Sequence, residues 1–108
     1  MGNPYGVVYV ATCRVNQKQY VGQTIVGMQA RWVGHQVDAK RSARPFGRAI
    51  IKYGAANFDL VVVDTAENQI DLDAREVLWI SSLGTRVPKG YNLSIGGGGT
   101  GGITPSPE

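Results

Sequence analysis

Cysteine occurs once in the 108 residues of the chain, so no disulfide can close within it. Cys13 sits in a strand-like run with no base beside it. It reads as a small buried hydrophobe of a reducing compartment rather than as a nucleophile. No apolar run approaches the ~20 residues needed to cross a bilayer, and the opening MGNPYGVVYV lacks the basic start and apolar core of a signal peptide. The expectation is a cytoplasmic protein with no membrane partner. Internal repeats are absent. The glycines Gly96 to Gly99 are followed by neither a helix nor a Lys-Ser/Thr pair, which argues against a phosphate-cradling loop. With Thr100, Gly101, Gly102 and TPSPE they read as a flexible tail or linker, leaving residues 1–95 as the folded domain. Acids are scarce from position 31 to 52, where only Asp38 stands against Arg31, Lys40, Arg41, Arg44, Arg48 and Lys52.

What is present suits one globular domain: 43% hydrophobic and 18% charged residues, enough for a single core. The net charge is only +3, but it is segregated. The basic block is followed by Asp59, Asp64, Glu67, Asp71, Asp73 and Glu76, with Arg75 the one base among them. Such a block reads either as a phosphate-backbone footprint or as a solvated helix face.

The pattern along the chain predicts a hairpin first. Tyr5 to Cys13 is rich in Val and Tyr, Gln19 to Gln23 is a second strand, and a short polar turn joins them. A helix is expected from Gly27 to about Lys40 and a second from Phe46 to Tyr53, closed by Gly54 at a left-handed position. FDLVVVD within Asn57 to Asp64 reads as a buried central strand. Asp71 is the expected N-cap of a third helix running to Leu83, with Gly84 after its end. Tyr91 to Ile95 reads as a short extended segment.

Three features carry chemistry. Tyr9 and Tyr20 fall at matched places on neighbouring strands, either as packing aromatics or as hydroxyls facing one cleft. Arg31 and the lone histidine, His35, are four apart on one helical face, with Trp32 beside them. On the third helix the apolar stripe Leu72, Trp79, Ile80 and Leu83 also carries Glu76. A carboxylate there is costly unless it is paired, reaches water or binds a cation. One carboxylate can hold a hard divalent ion whose other positions are filled by water and phosphate oxygens.

These residues resemble the GIY-YIG nuclease domain. Val7-Val8-Tyr9 matches its first motif, with Val7 where the family has glycine, and Tyr20-Val21-Gly22 matches its second. Arg31, Trp32 and His35 match its helix motif, and FGRAIIKYGAANF is similar to the segment that follows in phage and intron-homing members. Glu76 in AREVLWI matches the metal-binding glutamate, and Gly90-Tyr91-Asn92-Leu93 the late asparagine motif. The resemblance spans roughly residues 5 to 100. It implies an α+β fold, a small three-stranded antiparallel sheet flanked by helices. It implies a metal-dependent endonuclease that hydrolyses phosphodiester bonds of double-stranded DNA. Glu76 would anchor Mg²⁺ or Mn²⁺, and Tyr9, with Tyr20 as the alternative, would act as general base, helped either by His35 taking the phenolic proton or by nearby cations lowering its pKa. Arg31 would offset phosphoryl charge, Tyr20 would orient water or phosphate, and Asn92 would brace the site. Lys40, Arg41, Arg44, Arg48 and Lys52 would meet the DNA backbone, and a further recognition domain beyond the tail would read sequence. A restriction-type or toxin nuclease of this fold, or a non-catalytic nucleic-acid-binding module, are the alternatives.

Overall fold

The computed structural model describes residues 4–97. Strand β1 is Gly6–Cys13 and β2 is Gln19–Thr24; β3 is Phe58–Ala66. Helices α1, α2 and α3 are Met28–Ala39, Pro45–Tyr53 and Gln69–Leu83, and a single 3₁₀ turn, Ala55–Asn57, precedes β3. The strands form one antiparallel sheet in the order β2-β1-β3. The α+β architecture expected from the sequence is the one observed.

The central strand is β1, not β3. In β1 both faces are covered, so its apolar run is continuous rather than alternating. Ala11 and Cys13 point to one face and pack with Ala39 of α1, Phe46, Ala49 and Ile50 of α2, Phe58 and Tyr91. Val8 and Val10 point to the other and pack with Val21, Ala66, and Leu72 and Ile80 of α3. Burying each Val, Leu, Ile or Phe contributes about 1.5–3 kcal/mol. The expected "buried central strand" is therefore an edge. Val61 and Val62 are 56% and 41% exposed, and an apolar run by itself does not say which of two such strands is paired on both sides. Between Val8 and Tyr9 the β1–β3 register slips by one residue, leaving Val63 as a bulge beside Tyr9.

Helix α2 opens with Pro45 in its first turn, where no N–H is needed, and Gly54 ends it at φ 90°. Helix α3 is capped by Asn68, whose side chain accepts from Asp71 N at 2.8 Å. Asp71, the expected cap, lies one turn inside. Its carboxylate instead accepts from Glu67 N and Arg75. Gly84 follows the end of α3, as expected, and adopts the left-handed conformation. Leu83 is 39% exposed, so the buried stripe of α3 is Leu72, Glu76 and Ile80. Trp79 packs beside it and ties α3 to β3 through its indole N–H, which donates to Asp64 at 3.0 Å. After α3, the expected extended segment Tyr91–Ile95 makes, among the described residues, a single bridge, Asn92 with Arg86. Among the described residues no helix is long and apolar enough to cross a membrane.

Candidate active site

Pairing in the hairpin sets Tyr9 opposite Gly22 and Ala11 opposite Tyr20, so both phenols leave the same face of the sheet. Their rings are 6.4 Å apart. Gly22 is needed for its missing side chain: a Cβ there would collide with the Tyr9 hydroxyl and press on Tyr20. Tyr20 stacks on Phe46 of α2, centroids 4.1 Å apart and planes within 3°.

Helix α1 lies over this face and supplies Arg31 and His35. His35 Nε2 is 2.7 Å from the Tyr9 hydroxyl, and the imidazole is held edge-on against Tyr20 and Phe46. Tyr9 is 1% exposed. Burial pushes its phenol up to about 12; the charge and hydrogen bond of Arg31 pull the other way, and the charge of Glu76 adds to the rise. Burial and then the Arg31 charge bring His35 down to about 4, with Asp38 opposing. His35 is therefore neutral at neutral pH. With the phenol protonated and the imidazole neutral, the contact runs from the Tyr9 O–H to His35 Nε2 in the tautomer that carries its proton on Nδ1.

Helix α3 brings Glu76 from the other side. It is 9% exposed, and its Oε1 accepts from Gln23 Nε2 and from Gly97 N, both at 2.9 Å. Asn92 is buried behind β2. Its Oδ1 accepts from Val21 N and Thr85 Oγ1, and its Nδ2 donates to Val21 O, each at 2.8 Å. Those bonds hold the β2 backbone between Tyr20 and Gly22.

Sequence reasoning placed Tyr9, Tyr20, Arg31, His35 and Glu76, and the structure brings the tyrosines, Arg31 and His35 together with the charge of Glu76 close enough to act on Tyr9. Lys40, Arg41, Arg44, Arg48 and Lys52 are exposed on and after the two helices that cover the Tyr9 face. Arg48 and Lys52 join Lys18 along one cleft of about 290 Å³. Gln23, Gln69, Asp73 and Gly97 were not foreseen. The one available signal for Gln23 was its place directly after Tyr20-Val21-Gly22. Gly96 and Gly97, read as the start of a linker, lie against Ile80, Val77 and Glu76 of α3. The expected tail beyond them lies outside the described residues.

The sequence profile of the GIY-YIG catalytic domain matches residues 5–92. The chain belongs to the GIY-YIG family. Solved structures with this fold include the catalytic domain of the homing endonuclease I-TevI, at 24% identity and TM-score 0.70 over 82% of this chain and 98% of that one. A mutant of the catalytic domain of the intron endonuclease I-TevI gives 22% identity and TM-score 0.71 over 82% of this chain and 93% of that one. No curated protein sequence matches the chain.

For this GIY-YIG nuclease-family domain the donor set fits one kind of cation. Among the described residues no three His, Cys, Asp or Glu side chains converge, so a closed nitrogen and sulfur cage is not formed. Glu76 offers a hard, buried carboxylate oriented by two N–H groups. A hard divalent ion that keeps most of its water and shares phosphate oxygens suits that arrangement.

Proposed function

We propose that this GIY-YIG domain is the catalytic domain of a homing-type DNA endonuclease that hydrolyses phosphodiester bonds of double-stranded DNA with Mg²⁺ or Mn²⁺. The observation that carries the reading is the 2.7 Å hydrogen bond between Tyr9 and a neutral His35, with the charge of Arg31 acting on both. A buried phenol that holds its proton is an inert aromatic unless something can take that proton, and here an acceptor is in place. As attacking water gives a proton to the Tyr9 oxygen, the phenolic proton passes to His35 Nε2. Tyr20, less buried and fixed by stacking on Phe46, orients the water or phosphate. The guanidinium of Arg31 faces the charge that grows on the phosphoryl oxygens. Glu76 would hold the cation, which when bound supplies charge to the scissile phosphate and the departing 3′-oxygen. Lys40, Arg41, Arg44, Arg48 and Lys52 meet the DNA backbone, and base reading is left to a further domain.

The test is nicking of supercoiled plasmid in Mg²⁺ by the wild type and by Glu76→Gln. The variant keeps the shape and loses the charge, so it should fold and not cut. Wild-type cutting by Glu76→Gln would remove the metal assignment. A wild type that binds DNA and never cuts it would leave a binding module.

A further inference from the structure

Gln23 is the last residue but one of β2, and strand alternation turns it away from Gly22 toward α3. There one amide group meets two carboxylates. Its Nε2 donates to Asp73 Oδ1 at 3.0 Å and to Glu76 Oε1 at 2.9 Å. Its own oxygen accepts from Gln69 Nε2 at 2.9 Å, and the same Gln69 nitrogen donates to Asp73 Oδ1 at 2.7 Å. The network permits one orientation of the amide, because the reverse would set its oxygen against two carboxylate oxygens. Gly97 N completes the grip on Glu76 Oε1 at 2.9 Å. That approach needs the positive φ of Gly96 and Gly97, 93° and 84°, and their lack of side chains against Ile80 and Val77.

We propose that Gln23 is a positioning residue of the metal site: it fixes the rotation of the Glu76 carboxylate and does so without bringing a charge. The proposal rests on the reading of Glu76 as the cation's anchor. Two N–H groups on Oε1 set the plane of the carboxylate and hence the direction of its second oxygen. A lysine at this place would also donate to both carboxylates, but its charge would offset the field that attracts a cation. A neutral donor orients Glu76 and leaves its charge intact. Asp73, three residues before Glu76, then serves as the second hold on the amide.

Gln23→Met keeps the length and removes the donor; Gln23→Lys keeps a donor and adds charge. The reporter is the Gly97 amide signal in a ¹H–¹⁵N spectrum, which sits on Glu76 Oε1 and broadens as paramagnetic Mn²⁺ binds. Partners that orient a metal ligand are typically worth 10–100-fold in metal affinity or activity. Half-broadening in Gln23→Met should therefore need about tenfold more Mn²⁺, and Gln23→Lys at least as much. In single-turnover cleavage kcat should fall about tenfold in both, with KM for DNA unchanged. A tie between β2 and α3 that is merely structural would be kept by lysine, so wild-type Mn²⁺ response and kcat in Gln23→Lys would overturn the proposal. So would wild-type behaviour of Gln23→Met. If the wild-type Gly97 signal responds to Mn²⁺ no differently from that of Glu76→Gln, the metal reading itself falls, and the proposal with it.

Discussion

At the scale of the residue, the site rests on one phenol whose environment forbids it to ionise alone. A tyrosine of ordinary pKa, about 10, is already a poor base at neutral pH, and burial carries Tyr9 to about 12. As the proposed base, Tyr9 depends on His35 to take its proton. Tyr9→Phe keeps the ring and removes the proton acceptor, so single-turnover cleavage of a duplex should fall by at least about two orders of magnitude. Tyr20→Phe should cost less, because an orienting hydrogen bond to a charged group is worth about 1.5–3 kcal/mol. Equal small losses would make both tyrosines packing aromatics, and a larger loss at Tyr20 would exchange their roles. His35 carries a stability signature of its own. Its folded pKa, about 4, lies below the ordinary 6.5, so the unfolded chain binds the proton more readily. Its contribution is then fully present above pH 6.5 and is lost as pH falls through 4, up to about 3 kcal/mol at 1.36 kcal/mol per pH unit. Urea melts of wild type and His35→Gln between pH 7 and 4 should converge as the pH falls; parallel curves would mean that His35 is not held neutral.

At the scale of the element, legibility followed the strength of the local signal. The hairpin and the three helices were readable because Val, Tyr, Gly and Pro mark strands, ends and turns through sterics alone. The start of α3 was misplaced by one turn because Asn68 and Asp71 are both good caps, and only the fold decides which carbonyl and N–H groups are left over. The rank of β1 over β3 was not readable, since centrality depends on what covers the second face. Tyr9, Tyr20, Arg31, His35 and Glu76 were legible through motif resemblance, whereas Gln23 and Gly97 act through contacts made only after β2, α3 and the final segment meet. Asn92 shows the same dependence. Its side chain replaces a missing strand, supplying both a donor and an acceptor to Val21 and accepting from Thr85. Asn92→Ala leaves three buried polar groups without those partners, each costing about 1–3 kcal/mol. A loss of about 3 kcal/mol or more in a urea melt is expected. Reduced activity with wild-type stability would instead give Asn92 a direct part in the chemistry.

At the scale of the whole molecule, charge is segregated more than it is abundant. The net charge is +3, too little by itself to draw in DNA. The acids of the second half are largely occupied within the fold. Asp64 is held below its ordinary range by the Trp79 N–H first and also by Arg75, while Asp71 pairs with Arg75 and Asp73 holds Gln23 and Gln69. The bases after α1 and along α2 lie outward, on the helices that cover the Tyr9 face. A backbone-bound duplex would thus be drawn to the side that carries the phenols and His35. Each phosphate neutralised steepens the dependence of log K on log salt by about 0.9. If Lys40, Arg41, Arg44, Arg48 and Lys52 all engage, the slope for an unrelated duplex should approach about −4.5, and it should be nearly the same for any sequence. Arg48→Ala with Lys52→Ala should make it shallower by about 1.8 and weaken binding to all duplexes alike. Fluorescence anisotropy from 50 to 200 mM salt, with cleavage suppressed by Glu76→Gln, reads both quantities. A slope that the double substitution leaves unchanged would move the DNA to another face of the domain. Binding that survives high salt for one sequence only would mean that this domain reads bases itself.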